Sequence, residues 1–267
     1  MNMATQLQIE IPWKDTLQLP ATPKTLEMLL AGEIAGLCVP DFLTADECAR
    51  LARRSEECEF EHYLNVTPAI EKVGITVFEF DAIGKKEYFD AVEEANRRIA
   101  RITDGICCPL QRVLDWLSSL SPNHKVSVAY EQGYGPYFAG LVRKIERGTM
   151  VHVDFAPLEQ PGWAVAEVLN QLTLNIYLDT PKDAPGIVHI WRKQGRPEHD
   201  QYKVPGSYGY KPEVVDGVPF ATITPQPGML MVINTRNFHQ VMASSGCRLA
   251  VSSAVGQLPD KNLVLWS

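Results

Sequence analysis

The sequence predicts a mainly β protein with an N-terminal helical layer, its β part arranged as a sandwich or barrel. Three observations carry that expectation. Before Pro122, apolar residues recur at helical intervals. After it the chain breaks into short β-branched runs separated by Gly, Pro, Asn and Asp, as many-stranded sandwiches and barrels do. In "QLTLNIYLD", finally, Leu172, Leu174, Ile176 and Leu178 alternate with Thr173, Asn175, Tyr177 and Asp179. Helices covering the leucine face would leave the polar face to line a cavity.

The elements follow in order. "PKTLEMLL" is a short helix, and "AGLCVPDF" a strand that ends at Pro40. "TADECARLARRSEEC" opens with Thr44 and Glu47 at capping-box spacing. "KKEYFDAVEEANRRIARITDG" places Phe89, Val92, Ala95, Ile99 and Ile102 on one helical face and stops at Gly105. "CPLQRVLDWLSSLSP" is a helix with Pro109 near its start. Strands are expected in "KVSVAYEQ", "FAGLVRKIE", "TMVHVDF", "QLTLNIYLD", "GIVHIW", "FATITPQ", "GMLMVIN", "HQVMA" and "RLAVSSAVG". No flexible linker parts the helices from the strands, so the helices are expected on the outside of one sheet.

Composition narrows the function. Of the 267 residues, 45% are hydrophobic and 21% charged, an ordinary globular balance. The net charge of -7 argues against a nucleic-acid partner, since phosphate binding needs a basic surface. No early stretch reads as a signal peptide or bilayer span, and the six cysteines form no CxxC pair. A cytoplasmic protein with free thiols is the expectation. The oligomeric state is not readable.

The chemistry gathers around "TMVHVDFAP". In a strand, His152 and Asp154 project to the same side. Two such groups facing an interior are costly unless something binds them, either each other as an ion pair or a metal. A second histidine, His239, stands in "VINTRNFHQV", and Arg248 opens the next run, "RLAVSSAVG". Two histidines and a carboxylate form a facial triad that leaves one side of an octahedral iron(II) open. A three-ligand zinc site with bound water is the inorganic alternative. The arginine suits a dicarboxylate whose other end chelates the metal, because its charged fork matches carboxylate geometry.

In order and spacing, His152, Asp154, His239 and Arg248 resemble the iron(II)/2-oxoglutarate-dependent oxygenases. The interval from His239 to Arg248 is similar to that of prolyl hydroxylases, and Tyr177 falls where those enzymes set a tyrosine on the co-substrate carboxylate. The closer resemblance is to the carrier-protein-independent halogenases of indole alkaloids and their hydroxylase relatives. It rests on "RKIERGTMVHVDFAPL", "NQLTLNIYLDTPKDAPGIVHIW", "PQPGMLMVINTRNFHQV" and "LVLWS". The resemblance implies a double-stranded β-helix (jelly-roll, cupin-like) core over 123–267, behind a mostly helical part over 1–122, in one oxygenase domain. It implies Fe2+ on His152, Asp154 and His239, 2-oxoglutarate on Arg248 and Tyr177 with Asn175 as a further contact, and O2 as oxidant. The implied reaction oxidises a C–H bond of a small molecule from natural-product or amino-acid-derived metabolism, with release of succinate and CO2. The resemblance also carries a departure. Those halogenases have Gly or Ala in place of Asp154, which frees a coordination position for chloride. A carboxylate there implies hydroxylation, or desaturation or ring closure, in place of chlorination.

Other residues have both a functional and a structural reading. Trp163, in the loop after the HxD segment, is a candidate lid aromatic or a core residue. Arg143 is a candidate for an anionic substrate or a solvated sheet-edge charge. Asn234 and Arg236 are candidates for substrate contact or for turn hydrogen bonds. A peptide side-chain hydroxylase fits the same motif. A cupin-like hydrolase or isomerase would leave Arg248 unexplained, and a binding module would need no triad.

Overall fold

The computed structural model describes residues 11–64 and 66–267. Four helices form where caps and periodicity place them. The first is α1 (Pro23–Leu30), whose Thr22 side chain accepts from the Thr25 amide. Strand β1 (Leu37–Val39) precedes α2 (Ala45–Glu56), which opens on the reciprocal Thr44–Glu47 capping box. Two short strands, β2 (Glu61–His62) and β3 (Glu71–Val73), and a single turn, α3 (Val77–Phe80), then lead to α4 (Lys85–Thr103) and α5 (Pro109–Leu120). Gly105, just past α4, adopts φ +65°, the left-handed conformation that ends a helix at little cost in glycine.

The remaining strands are β4 (Val126–Val128), β5 (Tyr130–Glu131), β6 (Gly135–Pro136), β7 (Leu141–Ile145), β8 (Asn170–Asp179), β9 (Val188–Gln194), β10 (Phe220–Ile223), β11 (Leu230–Asn234), β12 (Asn237–Val241), β13 (Arg248–Gln257) and β14 (Leu263–Trp266). A one-turn helix, α6 (Ala156–Glu159), follows the HxD segment. The main sheet runs β1-β11-β8-β13-β7-β3-β2, with β14 pairing β13 and β4 pairing β14 in parallel. A smaller sheet runs β10-β9-β12. The chain passes from β8 to β9 and β10 in the small sheet, back to β11, across to β12, and back to β13. That interleaving of facing sheets is the jelly-roll core that the resemblance implied, with helices on one outer face.

The main sheet separates two apolar layers. Leu172, Leu174, Ile176 and Leu178 of β8 pack with Leu26, Leu29 and Leu30 of α1, Leu51 of α2 and Leu117 of α5. Ile145, Tyr177, Met231 and Ala250 face the other way, toward Val188 and Ile190 of the small sheet. Each fully buried aliphatic side chain contributes about 1.5–3 kcal/mol, so the leucine face holds the helical layer on without a linker.

The mostly helical part before Pro122 carries, besides the expected β1, two further short strands and the single turn α3, and β3 extends the main sheet beside β7. Elements of two to four residues are too short to show a period. One expectation needs correction: "TMVHVDF" forms no strand; it is joined only by isolated bridges, Val151 to Tyr210 and His152 to His239. Among the described residues, no helix is long and apolar enough to cross a membrane.

Candidate metal and co-substrate site

His239 projects from β12, and His152 comes from the extended segment beside it. The two residues exchange both backbone hydrogen bonds: the His152 amide donates to His239 O at 3.0 Å, and the His239 amide to His152 O at 2.9 Å. A regular ladder would pair Asp154 with Asn237 next. Instead the Asp154 amide donates to Thr235 O at 2.9 Å. This slip is why no strand forms, and it leaves the Asp154 carboxylate facing both rings. Asp154 Oδ1 lies 3.9 Å from His152 Nε2, and Oδ2 lies 3.5 Å from His239 Nε2.

The donor set fits a divalent metal. His152 Nδ1 lies 2.8 Å from Met150 O and His239 Nδ1 lies 3.0 Å from Asn237 O. Each Nδ1–H therefore donates to a carbonyl, and each Nε2 keeps its lone pair free for a ligand bond. All the ligand atoms lie within 4.8 Å of one another. Adjacent ligands at about 2.1 Å from a metal stand about 3 Å apart, so small shifts would close the site. The protonation states suit this. Burial, and then His239, push His152 down to about 4 against the pull of Asp154, so its ring is neutral at pH 7. Burial opposes ionisation of Asp154, but the two histidines and Arg143 outweigh it and hold the carboxyl well below the usual range.

Deeper between the sheets, Arg248 is 3% exposed. One of its terminal nitrogens donates to Tyr177 Oη at 3.0 Å, while its Nε is buried with no hydrogen-bond partner. The Tyr177 hydroxyl in turn lies 3.2 Å from Met231 Sδ, and burial keeps its pKa raised although Arg248 favours the phenolate. A buried guanidinium with an unpartnered Nε is expensive, and a carboxylate is the ligand that would complete it. Gly186 makes room for this arginine. It has φ +74°, and a Cβ there would come within 2.9 Å of Arg248 Cδ. Asn175 shares the inner face of β8 with Tyr177 and is buried opposite Ser252 and Met231.

A cavity of about 180 Å³ opens beside the triad, bounded by His152, Asp154, Arg143, Tyr63, Thr173 and Tyr208 among others. Arg143 is therefore at the site. Trp163 is not: it is 5% exposed, donates to Asp81 Oδ1 at 3.2 Å and packs in an aromatic cluster with Tyr88 and Tyr137. It is a core residue, because the loop that carries it folds down onto α4. Asn234 is also elsewhere. Its amide donates to Leu29 O and Leu30 O, satisfying the last carbonyls of α1. Arg236 lies outside the cavity lining with its guanidinium 4.4 Å over the Phe155 ring.

Tyr208 had no sequence signal. It stands edge-on to His152 at 5.3 Å, and its hydroxyl accepts from the Met150 amide at 3.1 Å. Only the length of the loop between β9 and β10 hinted at a role. Tyr63, from the short segment before β3, was equally unmarked.

Facing sheets, a two-histidine, one-carboxylate cluster and a buried arginine with an unpartnered Nε define an iron(II)- and 2-oxoglutarate-dependent oxygenase. More narrowly, the chain belongs to the carrier-protein-independent halogenase WelO5 family, whose sequence model matches residues 9–258. Leucinostatins biosynthesis cluster protein S of Purpureocillium lilacinum is 35% identical over 214 residues, covering 76% of this chain and 87% of that one. The L-gamma-glutamyl-L-propargylglycine hydroxylase of Streptantibioticus cattleyicolor is 29% identical over 138 residues, 51% of this chain and 50% of its own. Among solved structures, an N-substituted L-amino acid dioxygenase from Burkholderia ambifaria shares the fold with a TM-score of 0.63 at 13% identity, covering 92% of this chain and 91% of that one.

Proposed function

We propose that this oxygenase hydroxylates an unactivated C–H bond of a small molecule, in natural-product or amino-acid-derived metabolism, and releases succinate and CO2. The observation that carries the reading is Asp154. Its carboxylate stands 3.5 and 3.9 Å from the two imidazoles, where the halogenases that the sequence resembles leave room for chloride. His152, Asp154 and His239 would hold iron(II), and Arg248 with Tyr177 would hold the far carboxylate of 2-oxoglutarate, with Asn175 beside it. Bound iron with 2-oxoglutarate supplies the oxidising chemistry by activating O2. The chain's own residues do the rest. The Met150 and Asn237 carbonyls fix both histidine tautomers, Arg248 sets the direction of the co-substrate, and the cavity decides which bond lies nearest. A small cavity favours a small molecule, as do the relatives' printed names, a hydroxylase among them.

The test is direct. Fe(II) and 2-oxoglutarate added without oxygen should give a metal-to-ligand charge-transfer band in the visible. Oxygen should then yield succinate and, with substrate, a product heavier by one oxygen. A folded protein that forms no band refutes the reading. A chlorinated product in the presence of chloride would transfer the chain to the halogenating branch.

A further inference from the structure

The cavity beside the triad contains one cation besides the ligand set, Arg143, whose charge helps keep Asp154 ionised but which makes no ion pair with it. Among the described residues, Arg143 is the sole Arg or Lys that lines the cavity. Its neighbour Lys144 pairs with Glu71 at 3.4 Å, but Arg143 takes part in none of the ion pairs found among the described residues. Its Nε is buried with no hydrogen-bond partner, and so is the hydroxyl of Tyr63. The two lie together, with the guanidinium carbon 5.8 Å from the Tyr63 ring centroid. Two buried, unpartnered donors of one cavity call for an acceptor, and an anion answers both.

Tyr63 is held in place for such a role. Its amide donates to Ile70 O at 3.0 Å, and the next amide, of Leu64, donates to Glu79 Oε1 at 3.2 Å. Glu79 is itself fixed by Thr76 at 2.8 Å and by the buried Lys72 at 3.2 Å. These bonds tie the backbone that carries Tyr63 beside β3, which pairs with β7. Across the sheet, Arg143 lies opposite Ala250, and Ala250 opposite Tyr177, whereas Arg248 lies opposite Ile145. The two arginines therefore stand at different levels of the same inner face.

We propose that Arg143 and Tyr63 form a carboxylate-binding subsite for the molecule that is oxidised, so that the substrate is a carboxylic acid anchored on β7 beside the metal site. The inference rests on the reading above, in which Arg248 and the metal take the two ends of 2-oxoglutarate. Phe78 lines the same cavity yet is 43% exposed, and with Val66 and Ile70 it offers an apolar wall to the rest of the acid.

The test uses the full chain loaded with Fe(II) and 2-oxoglutarate under nitrogen. N-acetyl-L-leucine, N-acetyl-L-phenylalanine and isovalerate, each with its carboxamide, are titrated while the charge-transfer band and the melting temperature are followed. At least one acid should perturb the band and bind about tenfold or more tightly than its amide. Arg143→Gln should abolish that preference, Arg143→Lys should keep part of it, and Tyr63→Phe should weaken the acid about threefold to tenfold. The 2-oxoglutarate affinity of Arg143→Gln should stay within about threefold of the parent. Acids that bind no better than amides, or no binding by any acid, overturn the inference while leaving the iron site standing. A loss of about tenfold in 2-oxoglutarate affinity in the glutamine variant overturns it too, by assigning Arg143 to the co-substrate's metal-side carboxylate. Absence of the band in the parent protein is a different failure, that of the iron reading itself.

Discussion

The two faces of β8 face opposite tasks. Toward the helices, Leu172, Leu174, Ile176 and Leu178 lie in one apolar cluster, and polar groups beside it have partners: Ser55 donates to Leu51 O at 2.8 Å, Ser253 accepts from the Gly140 amide at 2.7 Å and Asn234 caps α1. Toward the small sheet, Tyr177 meets an arginine whose Nε has no partner, and Arg143 and Tyr63 are left similarly incomplete. One strand thus serves a finished core and an unfinished one. Buried polar atoms without partners are rare in folded proteins, so the three on Arg143, Tyr63 and Arg248 mark places where ligands would go. The difference also separates what a substitution should do: on the helix face it changes stability, and on the inner face it changes ligand affinity.

The strongest test of that division is Asp154→Gly. Even partners one step removed from a metal cost about 10–100-fold when lost, so removing the proposed ligand should lower succinate formation by more than about 100-fold. Iron should still bind through His152 and His239, and azide or chloride should now perturb the charge-transfer band. Full activity in this variant would show that Asp154 is not a ligand. On the opposite face, Leu174→Ala should cost about 2–5 kcal/mol in urea unfolding, because a buried leucine is replaced by a cavity. Its 2-oxoglutarate affinity should not move; if it does, the two faces are not independent. Arg248→Ala should do the converse. Losing charge-assisted hydrogen bonds to a carboxylate costs about 1.5–3 kcal/mol, so the 2-oxoglutarate requirement should rise about 10–100-fold, with a much smaller change for the substrate. Equal changes for both would count against its role.

The same division explains what could be read without a structure. The helix side was legible because its signals are local and repeated: the Thr44–Glu47 box, Pro109 at a first turn, and the alternation of four aliphatic residues along β8. The triad and Arg248 were legible because their residue types, in that order, answer one chemical need. What escaped depends on contacts across the fold. Trp163 and Asn234 have the composition of site residues, yet one is buried against α4 and the other spends its amide on the end of α1. Tyr63 and Tyr208 reach the cavity from short or irregular segments with no period of their own. Gly186 matters only because Arg248 Cδ lies where its side chain would be.

The smallest effect belongs to the outer edge of the helix side. Glu47, having capped α2, also receives Arg112 at 2.6 Å, and chiefly that guanidinium holds its carboxyl down to about 2. A depressed folded-state pKa stabilises the protein above the ordinary carboxylate range near 4.5, and that stability is lost as the pH falls from there toward 2. Arg112 is 36% exposed, so solvent screening limits the pair to about 1 kcal/mol or less. Glu47→Gln should therefore lower the melting temperature slightly at pH 7, with the gap to the parent closing between pH 4.5 and 2. A gap that persists unchanged at the acid end would mean that the hydrogen bonds of the cap, and not its charge, provide the stability. The 2-oxoglutarate affinity at pH 7 should be the same in both proteins, because neither Glu47 nor Arg112 lines the cavity.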